Sequence, residues 1–174
     1  MNVLLGPPKP VLAKAAKEHW FADGEDTRLM GYGKGDLGRL KALEDMADKV
    51  ESESPEFKTI GVYQDGEPVG IFMIQMKGTK TAELHCYIAP GARGKWAFHV
   101  AGIEILEKLF ANGVYRVECK PLRINKRLIS LLRRKYGFKQ EGIRRSSWWM
   151  DGNDFDTVTL SLLKREWKKM KREN

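Results

Sequence analysis

FKTIGVYQDGEPVGIFMIQM (residues 57–76) reads as two β-rich runs, 57–64 and 68–76, hinged on Asp65-Gly66. β-Branched and aromatic residues dominate both arms. Asp-Gly readily takes positive φ at both central positions of a two-residue hairpin turn. The arms are therefore expected to be antiparallel neighbours. A purely parallel, doubly wound sheet is disfavoured, because parallel neighbours need a long crossover between them.

Working outward, Gly6, Pro7, Pro8 and Pro10 predict an extended entry, followed by a short helical pattern over 11–20. Glycines 24, 31, 33 and 35 punctuate a loop. Asp36 is placed to cap a helix with Leu37, Leu40, Leu43, Ala47 and Val50 on one face. Downstream, residues 81–88 alternate Glu83, His85 and Tyr87 with Leu84, Cys86 and Ile88, giving a strand with one apolar face and one equipped for chemistry. A helix is predicted over 96–111, with Phe98, Ala101, Gly102, Ile105, Leu106, Leu109 and Phe110 in one stripe. A short strand at 114–119 follows, then a helix over 125–136 burying Leu128, Leu131, Leu132 and Tyr136. Strands over 138–150 and 155–163 flank the turn at 151–154, and 164–171 is a charged, helical tail.

The pattern predicts an α/β (α+β) chain with a mixed, mostly antiparallel twisted sheet and helices on both faces. It reads as a single domain over 1–174: an N-terminal helical part (1–56), a core (57–167) and a basic tail (168–174).

The chain has 174 residues, 42% of them hydrophobic, enough for a real core in one domain. No apolar run approaches the roughly 20 residues that cross a bilayer, and the first ten residues lack a leader pattern, so a soluble, cytoplasmic protein is expected. Cys86 and Cys119 sit in apolar-alternating segments and read as buried free thiols. His19 and His99 have no second ligand at metal-binding spacing. Charge is uneven. Residues 1–115 carry 14 Lys and Arg against 16 Asp and Glu, whereas 116–174 carry 17 against 7. A basic last third suits an anionic partner, nucleic acid among them, or a solvated face. Of Trp148 and Trp149, beside Arg144 and Arg145, one is expected in the core and one exposed.

Four pieces stand in order along the chain: Ala82-Glu83-Leu84 through Ile88 and Pro90; Arg93-Gly94-Lys95 at the opening of a long helix; Asn125 with a helix ending in Lys135-Tyr136-Gly137-Phe138, then Glu141-Gly142; and Asp151-Gly152 with Asp156, Leu160 to Leu163 and Glu166-Trp167. Together, over about residues 57–167, they resemble the GCN5-related N-acetyltransferase (GNAT) superfamily. Within it the chain is most similar to the ribosomal-protein N-terminal acetyltransferases.

The resemblance implies transfer of acetyl from acetyl-coenzyme A to a primary amine by direct attack, the acceptor being a protein N-terminus, a lysine or a small molecule. It implies a diphosphate site at Arg93, Gly94, Lys95, Trp96, Ala97 and Phe98, where backbone N–H groups open a helix. Trp96 and Phe98 depart from the family pattern, which has small residues there. It further implies that the backbones of Tyr87 and Ile88 face the pantetheine arm, and that Asn125 either bonds the cofactor or simply caps its helix. Glu83 and His85 are the candidate bases, His85 because imidazole titrates near neutrality and Glu83 on condition that its pKa is raised. The family's thiolate-protecting tyrosine has no clear counterpart, since Leu132 holds the nearest register. Two other readings stay open: a scaffold that binds without catalysis, and a nucleic-acid-binding or -modifying variant.

Overall fold

The structure, a computed structural model, describes residues 2–17, 41, 44, 45, 47, 48, 56–92 and 96–173. The loop expected at 21–35 and most of the helix expected from Leu37 to Val50 lie outside the described residues, as do Arg93, Gly94 and Lys95.

Seven strands form one sheet: β1 (Val3–Gly6), β2 (Phe57–Gln64), β3 (Glu67–Lys77), β4 (Thr81–Ile88), β5 (Arg116–Cys119), β6 (Lys139–Met150) and β7 (Asn153–Leu163). Four described helices join them: α1 (Lys9–Lys17), α2 (Trp96–Ala111), α3 (Lys126–Tyr136) and α4 (Lys164–Glu173). The spatial order is β1-β2-β3-β4-β5-β7-β6, antiparallel throughout except for the parallel pair β4–β5. The mixed, mostly antiparallel sheet is as expected.

The turn chemistry acts as predicted. Asp65 and Gly66 have φ of 51° and 86°, and β2 and β3 pair up to Gln64↔Glu67. Asp151 and Gly152, at 51° and 73°, make a second turn of the same kind, so β7 begins at Asn153, two residues earlier than the sequence suggested. The extended entry is β1, which pairs with β2 from Val3↔Gln64 to Gly6↔Gly61.

Period-two alternation divides the core. Phe72, Leu84, Val117, Leu160 and Leu162 pack against Phe98, Ala101, Ile105 and Leu106 of α2, Leu132 and Tyr136 of α3, and Trp167 of α4. On the opposite face Ile71 and Tyr87 pack with Val11 and Ala15 of α1. Helices thus cover both faces, as the sequence suggested.

Two expectations about burial need correction here. Leu131 is exposed, because the apolar stripe of α3 is narrow and its neighbours Arg133, Arg134 and Lys135 turn the rest of the helix to solvent. Trp148 and Trp149 are both exposed, at 45% and 71%. They lie on β6, the outermost strand, and neither belongs to a core cluster among the described residues. The charged, helical end expected at 164–171 is α4, held by the buried Trp167 and by an ion pair from Lys171 to Glu107. No helix among the described residues is long and apolar enough to cross a membrane.

Candidate active site

The parallel pairing of β4 with β5 lasts only from Thr81↔Arg116 to Glu83↔Glu118. Beyond it the chain after β5 stays with β7, through the bridge Leu122↔Thr157 and the bond from Val158 N–H to the Pro121 carbonyl at 2.9 Å. β4 instead stays with β3 as far as Gly70↔Ile88. The two strands splay apart.

Lys80 C=O accepts from Tyr115 N–H on the β5 side (2.7 Å), whereas Ala89 N–H donates to Val69 on the β3 side (2.9 Å). Strand alternation then turns the peptide groups of Leu84, Cys86 and Ile88 into the splay and those of His85 and Tyr87 toward β3. Of the two backbone positions singled out in the sequence, Ile88 faces the gap. Tyr87 serves the core, its side chain packed with Ile71 and Val11.

A cavity of about 440 Å³ occupies the splay. Its lining includes Leu84, Cys86, Phe98 and Tyr136 from the helix-covered face and Glu83, His85, Lys120 and Arg144 from the other, so the space passes through the sheet. It is an opening of the kind that lets two reactants meet from opposite sides.

On the face away from α2, charges alternate across the strands. Glu83 is 8% exposed and accepts a hydrogen bond from Lys120 Nζ at 2.7 Å. His85 Nε2 lies 3.3 Å from Glu83 Oε1, and Lys77 Nζ 3.9 Å from Glu83 Oε2. Lys120 also reaches Glu118 (3.3 Å), which pairs with Arg116 (2.6 Å). Arg116 grips Glu141 through both terminal nitrogens, Nη1 at 2.8 Å.

The hydrogen bond from His85, followed by that from Lys120, holds the Glu83 carboxyl down to about 2 despite its burial. The raised pKa that a general base at Glu83 requires is therefore not what the site provides. Burial pulls the Lys120 ammonium down, but Glu83 and Glu118 outweigh it and leave the group raised. Glu83 is a fixed anion and Lys120 a fixed cation at neutral pH. His85 presents Nε2 to Glu83, so Nδ1 is the ring nitrogen on the side away from that carboxylate.

On the helix side, Ala97 and Phe98 are buried, and the Phe98 ring stacks on Phe72 with centroids 4.5 Å apart. The Phe98 ring thus points toward the sheet, between Phe72 and the cavity wall. Asn125 caps α3: its Oδ1 accepts from Leu128 N–H at 3.2 Å, and it borders the cavity. Tyr136 is core, as expected; burial pushes its hydroxyl up, and a Cβ on Gly102 would come within 2.8 Å of it. Both cysteines are free; Cys119 is buried as expected, but Cys86 is only half-buried because its side chain borders the cavity, where desolvation still raises its thiol to about 12. No group of three or more metal-ligating side chains occurs among the described residues.

The site thus joins Glu83, His85, Ile88, Phe98 and Asn125 around one cavity. Sequence reasoning missed Lys77, Lys120 and Arg144. Arg116, Glu118 and Lys120 do alternate in sign at period two, and that was the available signal for a charged strand face.

No family model matches the chain, and no curated protein does. Its fold is shared with solved acetyltransferases. A probable GNAT-family acetyltransferase from Chromobacterium violaceum superposes with a TM-score of 0.80 at 23% identity, over 97% of this chain and 86% of that one. A GCN5-related N-acetyltransferase from Brucella melitensis gives 0.78 at 19%, over 98% and 79%. The acetyltransferase from Salmonella typhimurium that modifies the N-terminal serine of ribosomal protein L7/L12 gives 0.72 at 12%, over 94% and 95%. The architecture is the GCN5-related N-acetyltransferase fold.

Proposed function

We propose that the protein is an N-acetyltransferase that moves acetyl from acetyl-coenzyme A to a primary amine in a single ternary complex. The observation that carries this reading is the splay itself: a strand edge with peptide groups turned into a cavity that crosses the sheet, with His85 and Glu83 on the far side.

The residues fit such a donor. The turned-out peptide groups of Leu84, Cys86 and Ile88 match an amide-bearing arm, and the N-terminus of α2 offers amides to a diphosphate. Arg93, Gly94 and Lys95 would complete that turn, and the inward Phe98 ring removes one argument for a scaffold that binds without catalysis. When bound, acetyl-coenzyme A supplies the acetyl thioester. On the acceptor side, His85 Nδ1 takes the proton from the ammonium, directly or through one water. Glu83 fixes the ring's tautomer and stabilises the imidazolium so formed, and Lys120 holds Glu83 in place. The acceptor belongs to the amines; the Salmonella enzyme's protein N-terminus is one such group.

Calorimetric titration with acetyl-coenzyme A, followed by transfer of labelled acetyl to amine acceptors, tests the proposal. Saturable binding is expected, with turnover that falls at least 100-fold in His85→Ala at unchanged donor affinity. Absence of both heat and thermal stabilisation at saturating donor refutes it.

A further inference from the structure

The charge on the acceptor side of the cavity is unbalanced. Lys77, Lys120 and Arg144 line it against the carboxylate of Glu83. Glu83 and Glu118 already engage Lys120, and Lys77 stands at the edge of the same group. The guanidinium of Arg144 is exposed and has no hydrogen bond or ion pair among the described residues. The nearby carboxylate of Asp156 is taken by Arg123 at 2.9 Å and by Ser146 N–H at 3.1 Å, and that of Asp154 by Ser146 Oγ.

Arg144 is placed by a built feature. Between Arg144↔Thr157 and Trp148↔Phe155, β6 has three residues against one of β7, and Ser146 takes φ of 48°. Ser147 Oγ fastens this bulge to the Arg144 carbonyl (3.0 Å) and to Thr157 Oγ1 (2.8 Å). Such a bulge re-aims side chains. Here it sets Arg144 and Trp148 on the face of Thr157 and Ser161, whose Oγ bonds Glu141 in the charged row.

We infer that the acceptor amine carries an anionic group close to its nitrogen, read by Arg144 with Trp148 as the adjoining wall. This rests on the acetyl-transfer reading and narrows its substrate class. A simple ammonium entering a wall with surplus positive charge is repelled. An amine that brings a carboxylate or phosphate offsets that surplus and meets a planar guanidinium able to grip it with two bonds. The apolar part of the acceptor would lie on the indole. Free amino acids and acidic peptide N-termini share this chemistry.

Direct binding separates the inference from the activity. Calorimetry on the full chain would compare L-alanine with L-alaninamide, and the peptide Ala-Asp-Ala-Ala-amide with Ala-Asn-Ala-Ala-amide, each against wild type, Arg144→Gln and Arg144→Lys. About tenfold tighter binding of the anionic member is expected in at least one pair, and that pair identifies the source. The ratio should fall toward one in Arg144→Gln, be partly kept in Arg144→Lys, and shrink with added salt. Because the Arg144 guanidinium is exposed and makes no bond among the described residues, its replacement leaves the fold intact. Equal affinities, no binding in either pair, or a ratio indifferent to Arg144→Gln would overturn the inference. An intact charge preference without acetyl transfer to any amine would support it while removing the acetyltransferase reading.

Discussion

Replacing Glu83 with glutamine isolates the centre of the charged row. The side chain keeps its size and one acceptor oxygen, and loses its charge together with the second acceptor, which becomes an NH2 group. In the folded protein its carboxyl lies at about 2 instead of the ordinary 4.5. Because the folded value is the lower one, the stabilisation is fully present above pH 4.5 and lost as pH falls through about 2. The difference corresponds to about 3 kcal/mol at neutral pH. Water reaching the open side of the cavity trims this toward about 2 kcal/mol. Urea unfolding of wild type and Glu83→Gln at pH 7, 4.5 and 3 measures it, and the comparison cancels every other titrating carboxyl. The variant should be 2–3 kcal/mol less stable at pH 7, with the gap narrowing at pH 3. A gap that is the same at both pH values, or absent at pH 7, would show that Glu83 is not held as an anion by His85 and Lys120.

Asn125→Ala should cost about 1 kcal/mol through loss of the α3 cap, read by thermal or urea unfolding, with donor affinity within twofold of wild type. A tenfold loss of donor affinity at unchanged stability would instead assign Asn125 to the donor. Gly102→Ala sets a methyl against the Tyr136 hydroxyl at 2.8 Å and should destabilise by about 1–3 kcal/mol in the same assay. Cys119, buried and with its thiol raised well above the ordinary value by that burial, should react with a thiol reagent at pH 8 only after denaturant is added, whereas Cys86, half-buried at the cavity wall with its thiol raised to about 12, should react slowly without it. Trp149→Ser, at a position 71% exposed, should change unfolding free energy by no more than about 0.5 kcal/mol.

Much of the fold was legible because its signals are local. Asp65-Gly66 sets a turn whose dihedrals depend on two residues, and alternation through Glu83, Leu84, His85 and Cys86 assigns faces without reference to any partner. The stripe from Phe98 to Phe110 gave α2 in the same way. Trp148 and Trp149 misled because apolar character reports a preference for burial, whereas burial itself depends on whether another element arrives to cover the strand. Asn125 had two readings in the sequence, and the bond to Leu128 shows that capping is one role it performs.

The amino-acid order alone determined the hairpin pairing at Asp65-Gly66, the helix stripes and the gathering of Glu83 and His85 on one strand face, since turn chemistry and side-chain periodicity act between near neighbours. Only the tertiary structure decided where β4 and β5 part, which way the Glu83 carboxyl is driven, and that Arg144 borders the same cavity. Lys120 stands 37 residues from Glu83 in the chain and 2.7 Å from it in space. A charge takes its energy from whatever folding brings beside it.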